Sequence, residues 1–238
     1  MDFGGASDIG RKRGKNEDSY CLEQRSDGLL MAVADGVGGY LGGEIASAIA
    51  VQTVRSRLRM TDAPLEAALR EAVDAANQRV LETAAARPAV RHMATTLTVA
   101  ILADTRLVWG HVGDSRAYLW HRQALQLLTH DHSVAGELVA SGVLAFDDVR
   151  FHPQRHVLTR SLGVSETLDV EVGSVPVQSG DWVLLTTDGL TAVLGGEELA
   201  EAVRGGSIDG PQALCQALVA LANARGGPDN VTILAASA

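Results

Sequence analysis

Two short apolar runs, LLMAVAD (Leu29 to Asp35) and WVLLTTD (Trp182 to Asp188), each end in Asp-Gly. Runs of this length without polar alternation fit strands buried on both faces, so the fold must cover each sheet on two sides. The aspartate that closes each run then stands at a sheet rim, where loops leave room for a ligand. A third aspartate, Asp229 in GPDNVT, stands just before the closing strand pattern NVTILAA.

Between these runs the periodicity changes. EIASAIAVQTVRSRL, from Glu44, has helical spacing, with the carboxylate where it favours the positive end of the helix dipole. A second helix is predicted from a cap at Asp62, before Pro64, to about Ala86, ahead of Pro88. Thr95–Leu102, Arg106–Val112 and Ser115–Trp120 are β-branched or alternating segments split by turn residues, and they predict an antiparallel meander. Thr129–Arg160 mixes a short helical pattern, SVAGELVASG, with the polar FHPQRH and is read as an insertion over one end of the sheet. Two more helices are predicted over Glu197–Arg204 and from Asp209, with Pro211 in its first turn, to about Ala224. Hairpin blocks of strands separated by pairs of helices favour antiparallel sheets covered by helices over a parallel βαβ sheet. With 238 residues, 46% of them apolar, one domain over 1–238 is expected.

Composition removes several functions. A net charge of -9 and 4% aromatic residues offer neither the cationic face nor the stacking platform that nucleic acid requires. No apolar stretch approaches the ~18 residues of a membrane span, so a cytoplasmic protein is expected. Cys21 and Cys215 form no CxxC pair and neither opens a phosphate-binding loop with an arginine, which argues against a cysteine nucleophile. Gly36-x-Gly38 with Gly42 loosely matches a dinucleotide turn, but Asp35 would oppose a pyrophosphate. His130 and His132, and His152 and His156, are read as solvated loop residues and not zinc ligands. Trp109, Trp120 and Trp182 are read as packing.

Each Asp-Gly alone is an ordinary turn. Three carboxylates at strand ends are more demanding, because they do not all stay ionised close together unless a cation neutralises them. Oxygen-only ligands favour magnesium or manganese over zinc. In SDIGRKRGKNEDSY, Arg13 precedes Asp18; a guanidinium beside metals suits a phosphate dianion, while a solvated basic turn is the alternative.

The ordered set GRKRGKNEDS, AVADGVGGYLGGEIAS, MATTLTVAIL, HVGDSRAYL, LTHDHS, LTRSLG, LLTTDGL and GPDNVT resembles the metal-dependent protein phosphatase family, the type 2C serine/threonine phosphatases, in their compact bacterial form. The resemblance covers nearly the whole chain. It implies an α+β fold, a four-layer α/β/β/α sandwich, with the segment at about 130–160 as its flap. It implies two tightly bound Mn2+ or Mg2+ ions: Asp35 bridges them, the Gly36 carbonyl binds one, and Asp188 and Asp229 complete the set. Asp18 would hold metal-bound water, Asp114 with Asp188 a third, weaker ion, and Arg13 the substrate phosphate. The catalytic set is Arg13, Asp35 and Asp188. The implied reaction is direct attack of metal-activated water on phosphoserine or phosphothreonine of proteins, targets of a serine/threonine kinase, by a monomer. The rival is a non-catalytic sensing module of the same fold. The chain departs from the family at Val37, where animal members carry a histidine, and at Tyr40, where bacterial members often do, which leaves metal-bound water as the favoured leaving-group acid and Tyr40 as a residue expected to alter the seating of the phosphorylated residue.

Overall fold

The computed structural model describes residues 1–37, 42–58, 64–206 and 209–238. Tyr40, Gly38 of the glycine loop and the predicted cap Asp62 lie outside these residues. Ten described strands form two five-stranded sheets, antiparallel at every pairing. The first runs β1 (Phe3–Asp8), β10 (Val231–Ser237), β9 (Trp182–Thr186), β6 (Arg116–His121) and β7 (Ala124–Leu127); the second runs β2 (Asp18–Arg25), β3 (Gly28–Asp35), β4 (Leu97–Leu102), β5 (Arg106–Val112) and β8 (Glu171–Pro176). Helices α1 (Gly43–Arg57) and α2 (Leu65–Ala86) cover the second sheet, and α5 (Gly196–Gly206) and α6 (Pro211–Ala224) cover the first. The four-layer sandwich is therefore the architecture.

Alternation along β3 shows why its run is continuously apolar. Leu29, Met31 and Val33 enter the layer between the sheets, while Leu30, Ala32 and Ala34 pack beneath α1 and α2. In β9, Val183 and Leu185 face the other sheet and Leu184 faces the α5–α6 side. Side chains alternate across a strand, so a strand between two apolar layers needs no polar face. The tryptophans do pack: Trp109 lies between the sheets, and Trp120 and Trp182 stand opposite each other in register on the helix side.

The meander expected over Thr95–Trp120 is corrected. β4 and β5 pair, but β6 leaves for the other sheet and pairs with β9 and β7. The free edge of β5 is taken by β8, and the chain departs at Gly113, whose φ of 113° belongs to the left-handed region. This crossover carries Asp114 to the end of the sandwich.

The 130–160 segment contains α3 (Val134–Ala140), capped by the Ser133 hydroxyl accepting from Gly136 N–H at 3.1 Å, and a 3-10 turn over Phe146–Phe151. Its two roots are tied together by Val134 N–H to the Val157 carbonyl and Thr159 N–H to the His132 carbonyl, both 2.9 Å. Glu171 of β8 adds a clamp, accepting from His130 N–H and lying 3.5 Å from His132 Nε2. Burial alone would raise this carboxyl, but the donors from His132 and His130 hold it down to about 2. A folded pKa below the unfolded value gives stability that is present above about 4.5 and lost as pH falls through about 2. Glu171→Gln is therefore expected to cost roughly 1–2 kcal/mol at pH 7, and the gap from wild type should narrow in urea titrations near pH 3. A gap independent of pH would show that the clamp does not depend on the charge.

Candidate metal centre

Five acidic side chains reach one end of the sandwich by different routes. Asp18 opens β2 and Asp35 closes β3, and the two are register partners. Thr96 fixes the second: its hydroxyl accepts from Asp35 N–H at 2.9 Å, and its own N–H donates to the Asp35 carbonyl at 2.9 Å. Gly36 follows as a bridge to Thr95, packed so closely on Gly43 that a Cβ would strike its backbone. That contact brings α1 against the rim.

Asp188 is not the last residue of its strand, as its sequence setting suggested. It is the first residue of a single helical turn, α4 (Asp188–Thr191), two positions beyond β9. Gly189 holds this turn against Asn230, where a Cβ would meet the Asn230 carbonyl. Asp229 precedes β10, and Arg13 Nη2 donates to its Oδ2 at 2.7 Å. Arg13, Gly36 and Asp35 line one cleft with Asp114, Asp188 and Asp229, and half-buried Asp18 adjoins them as the register partner of Asp35. The structure thus brings together every site residue expected from the sequence.

Residues that the sequence reading passed over build the support. Asn230 accepts from Glu17 N–H at 2.8 Å and donates to the Ile9 and Lys15 carbonyls, both 2.9 Å, pinning the loop that carries Arg13. Asp18 Oδ2 accepts from the hydroxyls of Thr187 at 2.9 Å and Thr232 at 2.6 Å. These threonines flank the aspartate motifs in LLTTDGL and GPDNVT, which was the available signal. Two histidines read as solvated are corrected: His132 is buried, and His156 Nδ1 lies 3.3 Å from Asp188 Oδ2 instead of facing solvent alone.

The electrostatics are those of carboxylates in need of a counter-charge. Burial, then repulsion from Asp18 and Asp188, pushes the Asp35 carboxyl well above the usual range. Asp114 is raised in the same way by burial and Asp188. Burial also lifts Asp18 to about 7, against the pull of the Thr232 and Thr187 hydroxyls. Asp18 Oδ1 and Asp188 Oδ1 are buried without a hydrogen-bond partner, although buried acceptors are normally satisfied. Unsatisfied, mutually repelling oxygen donors fit hard divalent cations.

Another donor group fails the same test. The ligand atoms of His111, His132 and Glu171 lie within 4.8 Å of one another. Gly113 N–H, however, points at His132 Nδ1 at 3.2 Å, and His132 Nε2 lies 3.3 Å from Arg160 Nη1 and 3.5 Å from Glu171 Oε2, so both ring nitrogens already have polar partners. Burial pushes His111 down to about 4 and keeps it neutral, bonded to Thr98 and the His130 carbonyl. These lone pairs are committed to hydrogen bonds, so the group is a structural clamp.

A two-sheet sandwich whose rim gathers half-buried, repelling carboxylates beside a guanidinium defines a metal-dependent phosphatase. The chain belongs to the protein phosphatase 2C family, whose model matches residues 5–222. It is 35% identical over 234 residues to the serine/threonine phosphatase stp of Listeria monocytogenes, covering 96% of this chain and 92% of that one. The crystal structure of the serine/threonine phosphatase PstP/Ppp of Mycobacterium tuberculosis superposes with a TM-score of 0.88 at 32% identity, covering 99% and 97% of the two chains. A PstP catalytic domain in complex with two manganese ions gives 0.86 at 31%, covering 99% and 96%.

Proposed function

We propose that this chain hydrolyses phosphoserine and phosphothreonine on proteins, with Asp35, the Gly36 carbonyl, Asp188 and Asp229 holding two Mn2+ or Mg2+ ions. Asp114 with Asp188 would hold a third, weaker one. The observation that carries the reading is the gathering of Asp18, Asp35 and Asp114, their carboxyls all raised by burial, at one rim where Asp18 Oδ1 and Asp188 Oδ1 have no hydrogen-bond partner. Divalent cations there supply Lewis acidity and lower the pKa of water.

The chain's own residues do the rest. Asp18, with Oδ2 already fixed by two threonine hydroxyls, has Oδ1 left to accept a hydrogen bond from water. Arg13, at the open side of the cleft with its side chain 42% exposed, presents a planar fork suited to two phosphate oxygens. No protein nucleophile is required. Cys21 and Cys215 are both buried, and burial pushes the Cys215 thiol up to about 12.

Arg13→Ala is expected to raise KM for a phosphopeptide about tenfold with a smaller change in kcat. Because Arg13 also neutralises Asp229, the same variant should bind Mn2+ slightly more tightly; a lower Mn2+ affinity would count against the assignment. The activity itself is tested by phosphate release from phosphothreonine peptides across a Mn2+ titration, with Asp188→Asn as the inactive control and phosphotyrosine peptides for comparison. Absence of release at every concentration would favour the non-catalytic sensing module.

The same reading makes the substrates targets of serine/threonine kinases and the protein a cytoplasmic monomer. Its two buried, unpaired cysteines suit a reducing compartment. No helix among the described residues is long and apolar enough to cross a membrane. Sedimentation velocity at micromolar concentration checks the monomer.

A further inference from the structure

A second chamber, of about 320 Å3, lies against the metal cleft and shares its wall of Asp114, His156 and Asp188. Its far side is the 130–160 segment, and its floor is the turn between α4 and α5. The chamber is lined by three arginines with different commitments. Arg116 is spent on Asp131, with two hydrogen bonds of 2.6 and 2.8 Å. Arg150 lies over the Phe151 ring at 4.6 Å and is not ion-paired among the described residues. Arg155 makes one long bond of 3.4 Å to the His152 carbonyl, and its Nε is buried without a partner.

Among the described residues the carboxylates of the chamber form no ion pair with these two cations, although Glu198 lies close enough to feel the charge of Arg150. Asp131 belongs to Arg116. Glu198 is held by Arg225 at 2.6 and 2.9 Å and by Gly195 N–H at 3.0 Å. Asp114 and Asp188 belong to the metal centre, whose ions would offset them. Asp147 and Glu197 remain, but both are exposed, where water and salt weaken their reach. What is left inside is guanidinium with unused donors, a few residues' reach from the place where a phosphoresidue would sit.

We propose that this chamber is a second anion subsite, in which Arg155 and Arg150 receive a carboxylate or a second phosphate carried by the substrate near its scissile phosphoresidue. The inference rests on the phosphatase reading and narrows it to phosphoproteins that are acidic or multiply phosphorylated around the target site. A planar guanidinium recognises either group through paired N–H donors.

The test uses phosphothreonine peptides in which Glu, phosphoserine, Gln or Lys is placed in turn at each of several positions on either side of the phosphothreonine. Phosphate release is measured with Mn2+ present. At one spacing the Glu and phosphoserine peptides are expected to show KM about tenfold below the Gln peptide, and the two arms tell a carboxylate from a phosphate. In Arg155→Gln and Arg150→Gln that ratio should fall toward one, with circular dichroism confirming that each variant folds. Equal KM across the peptides, a preference for Lys, or a ratio unmoved in both variants overturns the subsite while leaving the phosphatase standing. No release from any peptide overturns the phosphatase reading, and the subsite with it.

Discussion

Replacing Asp35 with asparagine is expected to reduce phosphate release at least about 10^3-fold while raising the melting temperature of the metal-free protein. The two effects have one cause. Asp35 stands half-buried at the end of β3, lining the cleft, and burial plus the neighbouring Asp18 and Asp188 disfavour its charged form. In the absence of cations an ionised carboxylate there costs stability, and an amide of the same shape removes that cost, by roughly 1–3 kcal/mol. For a chain of this length each kcal/mol corresponds to a shift of about 2–4 °C. Wild-type protein should recover this and more on adding Mn2+, because a ligand at about 100 times its Kd stabilises by about 2.7 kcal/mol. Asp35→Asn should show little of that gain, while its lost activity reflects the several kcal/mol of charge stabilisation that bound cations contribute. Thermal melts with and without Mn2+, beside single-turnover assays, separate the effects. A variant less stable than wild type in chelator, or one that keeps the full Mn2+ shift, would contradict the assignment of Asp35 as the shared ligand.

The second large effect concerns the Arg116–Asp131 pair, which holds the 130–160 segment to β6. Both side chains are nearly enclosed, at 10% and 8% exposure, and the hydrogen bonding is bidentate. Arg116 also lies over the Phe146 ring at 4.9 Å, so one guanidinium reaches both the root and the far turn of the segment. Removing one partner of such a pair leaves a buried charge with nothing to answer it. Arg116→Ala is therefore expected to cost about 3–5 kcal/mol, read as a lower urea midpoint. A double replacement by apolar residues, Arg116→Met with Asp131→Leu, should cost far less than the sum of the single changes, since no charge is stranded. Limited proteolysis at Arg150 and Arg155 should accelerate in the single variant before global unfolding. Additive costs in the cycle would mean that the pair does not act as a unit.

How far the sequence could be read depended on burial. β5 was expected over Arg106–Val112 and has those bounds, because an interior strand flanked by turns carries its whole signal locally. β3 and β9 were legible for the same reason. β1, β2, β7 and β8 were not recognised: each has polar or exposed positions, and all four lie at sheet edges. An edge strand is stabilised by its neighbour's ladder more than by its own pattern. The switch of β6 to the other sheet was equally hidden, since alternation in a strand says which residues are buried but not beneath which sheet.

The aspartate motifs, the helix pairs and the oxygen-only chemistry were thus set by the order of residues along the chain, because turn preference, periodicity and ligand hardness are local properties. Only the tertiary structure decided that Asp18 pairs with Asp35, that Arg13 answers Asp229, that Asp188 opens a helical turn beside His156, and that Arg155 faces a chamber with a donor to spare. Such pairings join positions as much as 216 residues apart. Whether a charge in them is met or left over depends on what two sheets packed face to face bring to one rim, and no local pattern encodes that sum.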